Sequence, residues 1–441
     1  MSDNFERGIQ AQWMPFTSNR DFKQSPRVLV GAEGHYYQSK DGGQVYDAFS
    51  GLWTSGIGHC HPKIVEAVQK QVAKLDYAMS FQIANDQAVE LAAKLTDFAP
   101  EGFNHCFFTN SGSESADTAL KMVLAYHQAK GNTERVHLVG RQRGYHGVNF
   151  GGISVGGIPA NRDLYAANLL PNVHHLPHHH SPEHNAFSKG SPEWGAHLAD
   201  ALLDLISEHG KEAIAAVMIE PIPGSTGILP PPLGYLERLR ELCTQHGILL
   251  IFDEVINAFG RVGDNFGASR LGVMPDIITT AKGLTNGVIP MGAVLVTDEI
   301  YNTFMQGPEH MVELFHGYTY SGHPVAAAAG LASLEAYAEE GSIEQARALE
   351  PVFEEAIHSL DDHPMVIDVR NFGLMGAVEL APREGEAGGR GLEAHKKCFW
   401  DEQLVIRNGM DILQFAPFLN SKPDDVHRTF ESVRRVLDSI T

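Results

Sequence analysis

The chain is poor in cysteine and in positive charge. Four cysteines, Cys60, Cys106, Cys243 and Cys398, occur among 441 residues, and no two of them form a CxxC pair. This spacing argues against a disulfide framework and a zinc ribbon, and it is typical of a protein in a reducing cytoplasm. Lys and Arg number 33 against 54 Asp and Glu, which gives a formal charge of −21. A nucleic-acid or anionic-membrane partner requires a basic face, so we expect neither.

Long apolar runs and nucleotide-binding loops are also missing. The N-terminal sequence MSDNFERGIQ is polar and has no signal-peptide core, and no apolar run is long enough to span a bilayer. Neither GxGxxG nor GxxxxGK[ST] occurs, which disfavours dinucleotide and mononucleotide binding. The remaining composition, 43% hydrophobic and 20% charged, is that of a globular protein with two or three lobes, which we expect to be cytoplasmic.

Two apolar strands end on groups of opposite charge. The run 248–252 follows Gly247, is typical of a strand buried in a parallel sheet, and ends on Asp253. A second predicted strand, 276–280, is followed by Lys282. Because isolated buried charges are costly, we expect both groups to share a ligand. Pyridoxal 5′-phosphate suits such a pair, since it needs a lysine amine for a Schiff base and a carboxylate for its ring nitrogen. Taken singly, the aspartate could cap a helix and the lysine could be solvated.

Other polar residues follow predicted strands in the same way. Strands and helices alternate from about residue 105 to 300, which predicts a parallel sheet with ligands at its carboxyl edge. The loop 111–113 lies between a strand at 105–109 and a helix at 114–127, so backbone N–H groups there could bind an anion. An aromatic ring after a strand could stack on a flat cofactor. The residues predicted at strand ends are Ser111, Tyr145, Glu220, Asp253 and Lys282.

A histidine-rich stretch, VHHLPHHHSPEH, contains six histidines between His174 and His184. It is flanked by proline, lacks HExxH spacing, and is predicted to follow no strand. We therefore interpret it as an exposed loop with adventitious metal affinity, without a functional metal. His59 and His61 flank Cys60 in a predicted loop, but the two histidines have no third ligand nearby, so no metal site is predicted there either.

The two ends of the chain have a different character. The first 50 residues are predicted to form an extended arm, followed by a hairpin across the DGG turn. From about residue 330, charged helices and short strands predict an α+β lobe. Arg407 is predicted to end a short apolar strand, where it is either a surface charge or a clamp for a carboxylate.

The motifs SGSES, RGYHG, EPIPGSTG, IFDEVINAFGR, TTAKGLTNG and HGYTYSGHP occur in an order and spacing that resemble the class III pyridoxal-phosphate aminotransferases. The resemblance extends from about residue 12 to the C-terminus. WMPF, SGLWTSGIGH and LDYAMSFQ are similar to the ω-amino acid:pyruvate (β-alanine:pyruvate) transaminases of that family. The resemblance to the class III family implies fold type I. This is an α/β fold in which a large domain with a mainly parallel seven-stranded sheet joins a smaller α+β domain. The implied segments are 1–60 (arm and part of the small domain), 61–325 (cofactor-binding domain) and 326–441 (small domain).

The resemblance also implies residue roles. Lys282 would be the Schiff-base lysine and Asp253 the partner of the pyridine nitrogen, and these two would be the catalytic residues. The implied cofactor-binding residues are Ser111, Gly112, Ser113, Tyr145, His146, Glu220, Asp253, Val255, Lys282, Tyr318 and Thr319, with Thr319 contributed by the neighbouring subunit. The implied substrate-binding residues are Phe16, Leu52, Trp53, Phe81, Tyr145 and Arg407, with Arg407 as a mobile arginine that meets the substrate carboxylate.

The implied activity is ping-pong transfer of an amino group from an ω-amino acid or primary amine to pyruvate, giving alanine and an aldehyde or ketone. The implied assembly is a homodimer, or a tetramer of two dimers, with shared active sites. Three alternatives stay open at this point: a 2-oxoglutarate enzyme of the 4-aminobutyrate or ornithine type, an aminomutase or decarboxylating transaminase of the same fold, and a non-catalytic metal-binding protein. The sequence does not decide the amine donor, the enantiomeric preference or the number of chains.

Overall fold

A computed structural model describes residues 3–440; Met1, Ser2 and Thr441, which belong to the predicted terminal segments, lie outside the described residues. Along this range the helices are α1 (Asp3–Ala11), α2 (Asn19–Phe22), α3 (Ser50–Trp53), α4 (Pro62–Lys74), α5 (Asp86–Phe98), α6 (Gly112–Ala129), α7 (Phe150–Val155), α8 (Pro159–Arg162), α9 (Pro182–Asn185), α10 (Ala201–His209), α11 (Tyr235–His246), α12 (Gly267–Leu271), α13 (Asp298–Phe304), α14 (Pro324–Glu339), α15 (Ser342–His358), α16 (Gly389–Trp400) and α17 (Pro423–Asp438). The strands are β1 (Leu29–Glu33), β2 (Tyr36–Ser39), β3 (Gln44–Asp47), β4 (His105–Thr109), β5 (His137–Arg141), β6 (Val173–Leu176), β7 (Ile214–Ile219), β8 (Leu249–Asp253), β9 (Ile277–Thr280), β10 (Gly292–Val296), β11 (Val366–Phe372), β12 (Met375–Leu380), β13 (Leu404–Val405), β14 (Arg407–Gly409) and β15 (Ile412–Phe415). Short 3₁₀ helices span Asp163–Asn168, Ala196–Asp200 and Lys282–Thr285.

The centre of the described fold is a seven-stranded sheet in the order β4-β10-β9-β8-β7-β5-β6. Neighbours from β6 to β9 run parallel, and β10 is antiparallel to both β9 and β4. Every residue of β7 is buried, as expected for an apolar strand covered on both faces. The arrangement confirms the predicted α/β fold with a mainly parallel sheet.

Local sequence signals set several of the helix boundaries around this sheet. Helix α6 begins behind Ser111, whose Oγ accepts a hydrogen bond from the Glu114 backbone N–H at 3.2 Å. Helix α4 has Pro62 in its first turn, and α11 stops at Gly247, which adopts the left-handed conformation with φ of 63°. The helix predicted at 114–127 is thus confirmed as part of α6.

Two four-stranded sheets, β1-β2-β3-β13 and β11-β12-β15-β14, complete the described strand pairing. Strands β2 and β3 form the antiparallel hairpin predicted across the DGG turn. Strand β13 then pairs in parallel with β3, so that Leu404 lies beside Tyr46. This pairing joins segments near both ends of the chain. The domain boundaries after residues 60 and 325 stay a prediction.

Three secondary-structure predictions are wrong. The arm is not extended, because α1 and α2 lie within it; Phe5 and Ile9 stand four residues apart and form one half-buried helical face. His174 and His175 lie on β6, whose position at the edge of the sheet tolerates polar residues that an apolar-run criterion misses. Arg407 begins β14 and does not end the preceding strand.

Among residues 3–440, every helix is too short or too polar to cross a membrane.

Replacing Gly140 by alanine should destabilise the fold strongly. An added Cβ would lie 1.8 Å from the backbone oxygen of Val155, so β5 and the end of α7 would have to separate. We expect a loss of about 3 kcal/mol in the free energy of unfolding, and a lower thermal unfolding midpoint. Gly43→Ala is the matched control, because its Cβ would meet no atom closer than 3.7 Å. Equal midpoints for the two variants would contradict this packing.

Candidate active site

A cavity of about 130 Å³ lies at the carboxyl edge of the central sheet, where β5, β7, β8 and β9 end. Eight of the residues predicted from the sequence line it: Gly112, Ser113, Tyr145, His146, Glu220, Asp253, Val255 and Lys282. Parallel strands direct their carboxyl ends to one edge, which is why residues distant in sequence meet there.

Asp253 is held in the cavity wall by two hydrogen bonds. Its Oδ2 lies 2.8 Å from Nδ1 of His146, and its Oδ1 accepts the backbone N–H of Val255 at 3.1 Å. Both the aspartate and the histidine are buried. Burial alone would lower the pKa of His146, but the hydrogen bond to Asp253 and the charges of Glu220 and Asp253 outweigh it and raise the pKa. The carboxylate therefore has a fixed orientation.

Two buried polar atoms in this wall have no hydrogen-bond partner among residues 3–440: Oε1 of Glu220 and Nε2 of His146. The other carboxylate oxygen of Glu220 accepts the N–H of Tyr145 at 3.3 Å, and burial raises the pKa of Glu220. Unpaired buried polar atoms are costly and are usually satisfied by a ligand or an ordered water. The cavity thus has the properties of a site for a polar ligand.

Lys282 lies opposite these acids, directly after β9. Its backbone adopts a positive φ of 46°, which is strained for a residue with a side chain. Burial lowers the pKa of its amine to about 8; Asp253 opposes that shift and Arg407 reinforces it. The uncharged fraction of the amine near neutral pH is therefore larger than that of an ordinary lysine, which favours a role as nucleophile or general base.

The first turn of α6 forms the third wall. Gly112 and Ser113 line the cavity at the positive end of this 18-residue helix, which favours an anion. A Cβ at Gly112 would lie 2.9 Å from Cγ1 of Val255, so only glycine leaves this approach open. Ser111 caps the helix through its own side chain and does not line the cavity.

Trp53 and Arg407 lie beside Lys282. The ring of Trp53 is buried, with Nζ of Lys282 at 5.9 Å from its centroid and the guanidinium carbon of Arg407 at 5.2 Å. Arg407 donates to the backbone oxygen of Ser225 at 3.2 Å and to the side-chain oxygen of Gln414. The structure thus brings together an aromatic residue and an arginine from the predicted substrate set.

Five predicted residues lie away from this cavity within the single chain. Phe16, Leu52 and Phe81 have exposed side chains, with 80%, 50% and 52% of their surface accessible. Tyr318 hydrogen-bonds through its hydroxyl to Oγ1 of Thr118 at 3.1 Å, and the backbone oxygen of Thr319 accepts the hydroxyl of Tyr77 at 3.0 Å. Their predicted roles are not met by contacts within one chain.

Sequence reasoning missed Asn257 and Glu254. The side-chain amide of Asn257 accepts a hydrogen bond from the backbone N–H of Ile222 and donates one to its backbone oxygen, each at 3.0 Å. These two hydrogen bonds tie together the segments after β7 and β8. Glu254 is fully buried, accepts the backbone N–H of Ala268 at 2.8 Å, and has its pKa raised to about 8 by burial. Polar residues inside the apolar motif IFDEVINAFGR were the available signal.

The profile of the family "Aminotransferase class-III" matches residues 17–437. The chain is a class III aminotransferase. It is 52% identical to an omega-aminotransferase of Caulobacter vibrioides over the whole length of both chains. It is 49% identical to a beta-alanine–pyruvate aminotransferase of Pseudomonas aeruginosa, covering 99% of this chain and 97% of that protein.

Solved structures of omega transaminases share the fold of this aminotransferase. A 4-fold mutant from Pseudomonas jessenii superposes with a TM-score of 0.93 at 31% identity and covers 100% of this chain and 99% of that one. The omega transaminase of the same organism in complex with PMP superposes with a TM-score of 0.91 at 31% identity, covering 98% and 97%. Class III aminotransferases use pyridoxal phosphate, and the polar, anion-favouring cavity with its lysine fits such a group.

Opposite charges near Lys282 should shift its titration in opposite directions. Asp253→Asn should lower the pKa of the lysine, because the Asp253 charge raises it; Arg407→Gln should raise that pKa, because the guanidinium lowers it. The pH dependence of Lys282 acylation in cofactor-free protein, followed by mass spectrometry, measures both shifts. Shifts of the same sign in the two variants would contradict this arrangement.

Proposed function

We propose that this aminotransferase transfers the amino group of an ω-amino acid or primary amine, such as β-alanine, to pyruvate, with pyridoxal 5′-phosphate bound in the 130 Å³ cavity. The observation that carries the proposal is the convergence of a half-buried lysine, a histidine-held aspartate and a helix N-terminus on one cavity. The relatives named for ω-amino-group transfer and for β-alanine and pyruvate support the substrate class.

The cofactor would be held from four sides. Gly112 and Ser113 would bind its phosphate through the N-terminus of α6. Tyr145 and Val255 would cover the ring, and Lys282 would hold the aldehyde carbon. Bound pyridoxal phosphate supplies an electron sink that stabilises negative charge on the substrate carbon bearing nitrogen.

Asp253 and Lys282 divide the acid–base work. The Asp253 carboxylate, oriented by Nδ1 of His146, would keep the pyridine nitrogen of the bound cofactor protonated. Nζ of Lys282 accepts the proton from the donor carbon that bears nitrogen and then carries it as an ammonium. The lowered pKa of about 8 allows this amine to serve in both directions.

Arg407 and Trp53 select the substrate. The guanidinium would pair with the carboxylate of β-alanine or pyruvate, which a planar bidentate donor suits. Its present partners, the Ser225 oxygen and the Gln414 side chain, are neutral, so exchange for a carboxylate is favourable. The buried Trp53 ring offers an apolar wall to uncharged amines.

The exposed residues suggest a shared site. We propose a homodimer, or a tetramer of dimers, in which Thr319 completes the phosphate site of the neighbouring subunit and Phe16 and Phe81 cover a substrate entrance. Trp13 and Phe16 are three residues apart and have 89% and 80% of their surfaces exposed, and clustered exposed apolar side chains mark surfaces that a partner covers. In the proposed domain division, segments 1–60 and 326–441 form the small domain and segment 61–325 forms the large domain. The proposed location is the cytoplasm, where the four free cysteines stay reduced.

The two half-reactions can be tested by visible absorbance. Addition of β-alanine without a keto acid should remove the yellow absorbance of the holoenzyme, and pyruvate should restore it. Lys282→Ala should retain some cofactor yet lose turnover, because no other amine lines the cavity.

Other outcomes would select another reaction. Restoration by 2-oxoglutarate but not pyruvate would indicate a 4-aminobutyrate or ornithine type of enzyme, and turnover without any keto acid would indicate an aminomutase. Wild-type rates for Lys282→Ala would overturn the catalytic assignment.

Arg407→Ala should separate charged from uncharged substrates. Loss of a charge-assisted hydrogen-bonded pair is worth about 1.5–3 kcal/mol, so KM for pyruvate and β-alanine should rise by about 10- to 100-fold. KM for 1-phenylethylamine should change little. Arg407→Lys serves as the matched control, since it keeps the charge without the bidentate geometry. Equal effects on all three substrates would remove the clamp role.

A further inference from the structure

Three histidines from separate elements converge at the far side of the central sheet. His137 begins β5, His174 lies on the edge strand β6, and His209 ends α10. One ring nitrogen of each lies within 4.8 Å of the corresponding nitrogens of the other two. Nδ1 of His137 is 2.9 Å from Nε2 of His174, and the ring of His174 stacks on that of His209 with centroids 4.2 Å apart.

We propose that His137, His174 and His209 form a binding site for a divalent transition-metal ion of the zinc class. Imidazole nitrogens are preferred ligands of Zn²⁺, Ni²⁺ and Cu²⁺, and three of them with one water form a common tetrahedral set. In such a set the ligand nitrogens stand about 3.3 Å apart, given Zn–N bonds of about 2.0–2.1 Å. The Nδ1–Nε2 contact between His137 and His174 is slightly closer than this, and the rings of His174 and His209 are stacked, so metal binding would break that hydrogen bond and rotate the partly exposed rings until the three nitrogens converge.

The surroundings of the cluster favour a cation but disfavour protonated histidines. His209 is the last residue of the nine-residue helix α10, whose C-terminus carries partial negative charge. The carboxylate of Glu208 lies 3.7 Å from Nε2 of His209. Burial and the neighbouring histidines lower the pKa values of His137 and His174, with Glu208 opposing the shift at His174. Both shifts favour the neutral imidazole, which is the form that coordinates a metal.

Another grouping, His180 with Asp368 and Glu379, differs in one decisive respect. The guanidinium of Arg370 already hydrogen-bonds both carboxylates, at 2.8 Å for Glu379. A metal there would have to displace a buried cation that balances the acids. No such cation contacts the His137 cluster among the residues that the structure describes.

The proposed metal would join three elements away from the chemistry. His137 and Arg141 are at opposite ends of β5, which separates them by about 13 Å at 3.3 Å per residue. Only Arg141 leads into the segment that carries Tyr145 and His146. A bound metal should therefore stabilise the edge formed by β5, β6 and α10 without changing transaminase turnover.

The test is a titration of metal-stripped holoenzyme with Zn²⁺, followed by calorimetry and by the thermal unfolding midpoint. Wild type should bind one ion per chain and unfold at a higher temperature with Zn²⁺. His174→Gln and His209→Gln should each weaken binding by at least about tenfold and lose the thermal shift, while kcat stays unchanged.

His184→Gln is the matched control from the same histidine-rich stretch. His184 stacks on Trp194 with centroids 4.3 Å apart and lies outside the cluster, so its replacement should leave Zn²⁺ affinity intact. The proposal is overturned by absence of saturable binding in wild type, or by equal affinity losses in His184→Gln and the two cluster variants. Binding that survives His209→Gln but disappears in His180→Gln would also overturn it.

Discussion

The candidate active site depends on two groups of opposite kind at one edge of the sheet, the buried aspartate Asp253 and the half-buried lysine Lys282. Strands β8 and β9 are neighbours, with Asp253 beside Thr279, so the segments that follow them must meet. The protein pairs Asp253 with His146 and the Val255 N–H, but burial still lowers the pKa of the lysine to about 8, and Oε1 of the nearby Glu220 has no partner among the described residues. This arrangement leaves a site complementary to a charged, planar ligand.

Rigid contacts around the cavity keep these groups in place before any ligand binds. Asn257 ties the segments after β7 and β8 through two hydrogen bonds, and Arg141 donates to the backbone oxygen of Glu220 at 2.8 Å. Gly112 and Gly140 admit backbone approaches that a Cβ would block. Catalytic groups held by such second contacts need little reorganisation during a reaction.

Histidine serves opposite purposes in different parts of this fold. His146 is fully buried beside two carboxylates, so its pKa is raised and it supports a negative charge. His137 and His174 are partly exposed; their remaining burial, with the neighbouring imidazoles adding to it, lowers their pKa values and favours the neutral ring. The same side chain thus supports a carboxylate in the first environment and, in our proposal, would coordinate a metal ion in the second.

Sequence alone determined most of the alternation of strands and helices in the central sheet, the polar residues that follow β5, β7, β8 and β9, and the resemblance to the family, because apolar runs, caps and motifs are local signals. The tertiary structure decided which distant residues meet. The pairing of His146 with Asp253 and the link from Asn257 to Ile222 depend on packing between segments far apart in the chain. The strand β6 was missed because an edge strand needs no apolar run, and His209 joined His137 and His174 only when α10 packed beside them. Local propensity carries no information about such contacts, since they arise only when the sheet and its helices assemble.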